Sequence, residues 1–178
     1  MCAFSHRWAV RSDLPALRAL MDLSIDRLQQ GFLTPAQIVA SHQVMGLDTQ
    51  LVEDGTYLAV EEDGALVGCG GWSRRATLYG GDHSTKLRDA RLLDPETEPA
   101  RVRAMYTHPD HARRGIGRLI LEVCEGAAAG EGFRAVELMA TMAGVPLYRA
   151  CGYEAVEGVE AAVDGVGVPL LRMRKGIG

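Results

Sequence analysis

The chain has 178 residues, 47% of them apolar and 24% charged, which suits one folded domain and excludes a disordered chain. A net charge of −4 gives no global attraction to nucleic acid or to an anionic membrane, so any anion site has to be local. The cysteines Cys2, Cys69, Cys124 and Cys151 are scattered, with no C-x-x-C pair and no metal-ligand spacing. The N-terminal "MCAFSHRWAV" lacks the apolar stretch of a signal peptide, and no apolar run approaches the roughly 20 residues of a membrane span. Free thiols in a reducing cytoplasm are the expectation.

"HRWAVRS" alternates like a short strand. Ser12 or Asp13 is expected to cap the helix that follows, in which Leu14, Leu17, Leu20, Met21, Ile25 and Leu28 recur at helical spacing. After Gly31, "TPAQ" starts a second helix, with Thr34 as cap, Pro35 at the first helical position and Gln37 closing a capping box. "TYLAVEE" and "ALVGCGGWSRR" are strands turned at Asp63-Gly64. Residues 79–100 are polar and rich in Gly and Pro, a long loop or a functional insertion. "RVRAMYTH" is a strand closed by Pro109, and a helix runs from about Gly115 to Ala129. "FRAVELMA" is a further strand, "VPLYRAC" a short helix stopped at Gly152, and "YEAVEGVEAAV" and "GVPLLRMR" two last strands turned at Asp164-Gly165. This order predicts an α/β fold, a mixed sheet with helices packed against it, in a single domain over residues 1–178.

"THPDHARRGIGRL" carries the chemistry. A strand ends, a loop turns, and a helix begins with its first N–H groups unpaired at the positive end of the helix dipole. Gly115 and Gly117 let a phosphate approach those groups, and Arg113, Arg114 and Arg118 offer charge-assisted bonds. A pyrophosphate fits that description. By itself G-x-G is a weak signal, equally compatible with a glycine-lightened loop and solvated arginines; no Walker lysine follows, and the dinucleotide fingerprint lacks its third glycine.

The same residues resemble the GNAT superfamily of acetyl-coenzyme A-dependent N-acyltransferases. The resemblance extends over most of the chain: the order of elements, the strand "VRAMYTHP", the glycine loop where the family has Gln/Arg-x-x-Gly-x-Gly/Ala, and "PLYRACGYE", similar to the family's downstream Leu/Phe-Tyr-x-x-x-Gly-Phe/Tyr signature. It implies a mostly antiparallel mixed sheet of about seven strands flanked by about four helices. It implies acetyl-CoA as cosubstrate, without metal, and an N-acetyltransferase acting on a primary amine. Met105, Tyr106 and Thr107 then fall where the family's backbone pairs with the pantetheine arm. Ala112, Arg113, Arg114, Gly115, Ile116 and Gly117 fall at the pyrophosphate loop, with Arg118 adjoining, and Tyr148 falls where the family has the general acid for the departing thiolate. Two departures stand out: Ala112 replaces the usual Gln or Arg, and Thr141 stands where many members have Asn.

No glutamate lies on "RVRAMYTH", where many members carry the general base, so the base stays open between His108, Glu137 and a water relay. Cys151 could line the acyl site, although a buried structural thiol is far more common in such a place, and Trp72 could wall the acceptor cleft or equally well pack in the core or an interface. The acceptor is expected beside "LQQGFLTP", Trp72 to Asp82 and the last hairpin, and a small-molecule amine is preferred for so compact a chain. The competing readings are a non-catalytic acyl-CoA-binding sensor and a phosphate-loop protein for another nucleotide. The pairable edge of the last strands predicts a homodimer.

Overall fold

The structure is a computed structural model and describes residues 3–178, which leaves Cys2 outside. Seven strands form one sheet: β1 (Ser5–Trp8), β2 (Tyr57–Glu62), β3 (Ala65–Ser73), β4 (Ala100–Thr107), β5 (Ala135–Thr141), β6 (Glu154–Val163) and β7 (Val166–Gly176). Five helices accompany them: α1 (Leu14–Leu28), α2 (Pro35–Val44), α3 (Thr49–Glu53), α4 (Ile116–Gly130) and α5 (Val145–Ala150). The strand order is β1-β2-β3-β4-β5-β7-β6, antiparallel except between β4 and β5. No helix among the described residues is long and apolar enough to cross a membrane.

Both faces of the sheet are covered, which explains why "YLAV" in β2 is apolar without alternation. Leu58 and Val60 join Ile116, Ile120 and Leu121 of α4 in one core layer, whereas Tyr57 and Ala59 join Leu17, Leu20 and Ile25 of α1 in the other. α2 covers the far end of that second face through Ala40 and Val44, against Val168 and Leu170 of β7. The β3 glycines serve this packing: a side chain at Gly68 or Gly70 would occupy the space taken by Ile116 or Ile120.

The predicted hairpins are present, with Asp63-Gly64 and Asp164-Gly165 at φ of 51° and 80° and of 47° and 80°. The capping box of α2 forms as its residues dictate: Thr34 Oγ1 accepts from the Gln37 N–H at 3.2 Å, and Gln37 Oε1 accepts from the Thr34 N–H at 2.9 Å. The cap of α1 differs. Asp13 stands at the N-cap position but makes no cap bond; its carboxylate accepts from the Val10 N–H and forks with Arg7 at 2.8 Å. Helix α3 has no counterpart in the predicted order, because five residues are too few to show a period. Residues 79–100 form a loop folded back on the molecule, with the Asp82 N–H bonded to the Leu47 carbonyl and His83 Nε2 to the Gln43 carbonyl.

Candidate active site

Parallel pairing of β4 with β5 stops after two residue pairs, Ala100 with Val136 and Arg101 with Glu137. Beyond them the two strands part, and the sheet opens into a cleft of about 630 Å³. β4 itself is bent at that point. Against β3 its register slips by one residue between Cys69 and Gly71, and Ala104 takes a left-handed φ of 51°. The slip reverses the alternation of side chains: Val102 lies in the α4 layer, while Tyr106, four residues on, lies in the α1 layer. A buried clamp holds the bulge, the Tyr57 hydroxyl donating to the Ala104 carbonyl at 2.7 Å.

Met105, Tyr106 and Thr107 line the cleft on one side. Tyr106 pairs with Cys69 in the β3 ladder, and its buried phenol accepts from the Gly46 N–H, so its ring is a wall and not a free group. The glycine loop closes one end of the cleft. Arg113 and Gly115 both adopt positive φ, 62° and 88°, which turns the chain sharply into α4; Gly115 is needed for that conformation, since nothing crowds its missing Cβ. Gly117 serves packing instead: its bare Cα receives Leu147 of α5, whose Cδ2 would lie 2.5 Å from a Cβ there.

Ala112, Arg113, Gly115, Ile116, Gly117 and Arg118 line the cleft together, and Arg114 does not. The Arg114 guanidinium forks onto Glu62 at 2.6 and 3.0 Å and lies over the Phe4 ring. This ion pair holds the Glu62 carboxyl below the usual carboxylate range. His111 Nε2 also meets Glu62, at 3.0 Å, and brackets the loop from behind.

On the opposite wall, Thr141 ends β5 and its hydroxyl accepts from the Gly144 N–H at 3.2 Å, capping the turn into α5. Tyr148 follows one helical turn later. Its ring packs over Gly144, where a Cβ would lie 2.8 Å from Cε2, and edge-on to Tyr153. The Tyr148 residue is 9% exposed, and among the described residues its hydroxyl has one weak partner, Met105 Sδ at 3.7 Å. Burial pushes its pKa above the ordinary phenol value, so the group stays protonated. Tyr148, Thr141, Met45, Met105 and Tyr106 also line a second, smaller recess of about 80 Å³ on the α2 face, so the two spaces meet at Tyr148.

The candidates for a base lie elsewhere. Glu137 is 6% exposed and bound to Arg101 at 2.9 Å, with Arg172 at 3.7 Å and Arg174 at 3.6 Å, an ion-pair cluster outside the cleft. His108 Nδ1 accepts from the Asp110 N–H at 3.2 Å and caps the turn. Trp72 is buried against Phe133, far from any acceptor role, and Arg74 and Arg75 are engaged by Glu131 and Asp54. Cys151 is half-buried and packs against the α4 core layer. Leu28, Gln29 and Phe32 of the expected "LQQGFLTP" segment line the cleft, and sequence reasoning missed only the part of α1 before it, where Ser24 and Ile25 line the cleft as well. The available signal was Ser24, a buried polar residue on the apolar stripe of α1.

The whole chain is similar in fold to several solved acetyltransferases. A GCN5-related N-acetyltransferase from Rhodopseudomonas palustris superposes with a TM-score of 0.69 at 16% identity, over 99% of this chain and 96% of that one. PaiA N-acetyltransferase from Thermoplasma acidophilum, solved with coenzyme A, gives 0.65 at 14% identity over 98% and 99%. A phosphinothricin acetyltransferase from Sinorhizobium meliloti, solved with AcCoA, gives 0.64 at 19% identity over 98% and 89%. No curated protein sequence matches the chain. Residues 17–153, which hold the bulged strand, the glycine loop and Tyr148, match the family model for the Acetyltransferase (GNAT) family, and the chain belongs to that family of acyltransferase enzymes.

Proposed function

We propose that this protein is an acetyl-coenzyme A-dependent N-acetyltransferase that acetylates the primary amine of a small molecule, with Tyr148 as general acid. The carrying observation is that the parted ends of β4 and β5, the glycine loop and Tyr148 line one cleft. The residues suit the cosubstrate: the tight Arg113–Gly115 turn and the start of α4 line the cleft and would offer amides to a pyrophosphate, Arg113 and Arg118 would add charge, and the β4 edge would offer backbone partners to an extended amide-bearing arm. Acetyl-coenzyme A, when bound, supplies the activated thioester.

The chain's own residues then have three tasks. The bulge at Ala104 re-aims the backbone of Met105 and Thr107 toward the gap. Met45, Met105 and Tyr106 exclude water around Tyr148. Tyr148 hands its Oη proton to sulfur as the C–S bond gives way to the new C–N bond, and the phenolate recovers the surplus proton of the acceptor nitrogen through solvent. The ordinary phenol and thiol pKa values, about 10 and 8.5, lie close enough for this transfer, and the burial that raises Tyr148 would equally raise the proton affinity of a thiolate formed beside it.

The alternative, an acyl-CoA-binding sensor, draws support from the cleft lining, in which no carboxylate stands among the described residues. Thiol release from acetyl-coenzyme A over a panel of amines separates them: turnover supports the transferase, whereas tight binding of coenzyme A without turnover on any amine supports the sensor. Cytoplasmic location and pairing of two copies through the exposed edge strand β6 complete this reading; sedimentation of the purified chain tests the pairing.

A further inference from the structure

The recess on the α2 face has an unusual charge inventory. Its walls are mostly apolar, with Val44, Met45, Leu78, Met139 and Leu170 around it, and its one charged residue is Arg103. Arg103 is 4% exposed, and both of its hydrogen bonds leave from Nη2, to the Asp48 carboxylate at 3.2 Å and to the Gly80 carbonyl at 2.8 Å. Gly80 itself lines the recess, so the guanidinium head stands at the recess wall, and Nε and Nη1 make no hydrogen bond to the described residues. Asp48 is shared with Arg88 at 3.2 Å, so it does not belong to Arg103 alone.

A second observation comes from the other side of Met45. Gln29 is buried on the cleft wall, its Nε2 rests on Met45 Sδ at 3.9 Å, and its Oε1 has no hydrogen-bond partner among the described residues. A buried carbonyl left without a donor is costly, and one facing a binding cleft is satisfied when a ligand brings an N–H.

From these two features we infer that the acceptor is a compact amine that also carries a carboxylate, of the α-amino acid class, with an apolar remainder. Its carboxylate pairs with the free edge of Arg103, its apolar part fills the recess, and its amine N–H is oriented by Gln29 toward Tyr148. A recess of about 80 Å³ excludes bulky acceptors, and a cleft without carboxylates disfavours polycations such as polyamines and aminoglycosides. The inference rests on the transferase reading and narrows it.

The test compares thiol release by the full chain on matched acceptors: leucine and methionine, their amides, the corresponding amines lacking the carboxyl group, and spermidine. A kcat/KM at least about tenfold higher for the carboxylate-bearing member of each set is expected, as one lost charge-assisted contact is worth that much. Arg103→Gln is expected to collapse that preference by raising KM for the acids, and Arg103→Lys to restore part of it. Equal or better turnover of the carboxyl-free amines, or turnover of spermidine alone, overturns the inference and leaves the transferase reading standing. Absence of turnover on every amine overturns both.

Discussion

The Tyr57 hydroxyl donates to the carbonyl of Ala104, 2.7 Å away, and so ties β2 to the one residue of β4 with a left-handed backbone. The phenol also meets Cys69 Sγ at 3.3 Å, in surroundings so dry that burial raises the pKa of Tyr57 far above the ordinary phenol value and pushes that of Cys69 up to about 12. The bulge that opens the sheet is therefore held from outside the cleft. Tyr57→Phe should destabilise the fold by about 1–3 kcal/mol, the cost of a buried acceptor left unpaired. Urea unfolding checks the stability, and turnover should fall with it, because Met105 and Thr107 lose their aim.

Tyr148→Phe should lower kcat by about 100-fold or more, the usual contribution of a positioned acid, while the dissociation constant for acetyl-coenzyme A stays close to wild type. A kcat near wild type would remove Tyr148 from the role. Since burial raises its pKa, the protonated, active form should persist beyond the normal phenol range, so kcat should show no alkaline fall assignable to Tyr148 below pH of about 10.

Alkaline stability follows from four buried phenols. Tyr57, Tyr106, Tyr148 and Tyr153 all have pKa values raised chiefly by burial. The folded state keeps these protons to higher pH than the unfolded chain, whose tyrosines ionise near a pKa of about 10. Stability should be flat in this respect below pH of about 10 and fall steeply above it. Calorimetric unfolding between neutral pH and that range tests the sign.

Glu137→Gln separates structure from catalysis. It leaves Arg101, half-enclosed beside Arg172 and Arg174, without its closest anion, and burial already lowers the Arg101 pKa. The variant should lose about 3 kcal/mol or more of stability, as a broken buried pair does. The pH profile of kcat should keep its shape; a vanished acidic limb would make Glu137 the base after all.

Much of this fold was readable because its signals are local. The two Asp-Gly hairpins, the Thr34–Gln37 box and the amphipathic α4 each announce themselves within a few residues. What the sequence could not show is set by distant partners. Arg114 looks interchangeable with Arg113 until Glu62, 52 positions away, claims it. Gly117 reads as room for a phosphate until α5 arrives to fill it with Leu147. Arg103 reads as an ordinary strand residue and Gln29 as one of eight in the expected acceptor segment, and only the parting of β4 from β5 brings their two spaces together.

The Leu147–Gly117 contact makes the two halves of the motif a single mechanical part. Leu147 seated in that notch adjoins Tyr148, so a shift in the first turn of α4 moves the acid as well. Gly117→Ala should impair turnover through Tyr148 as much as through phosphate binding, and adding Leu147→Ala should return part of the loss. The two changes would then combine less than additively. Residues 30 positions apart in the chain would be free to vary only in concert, a lock-step that a screen of paired substitutions can read directly.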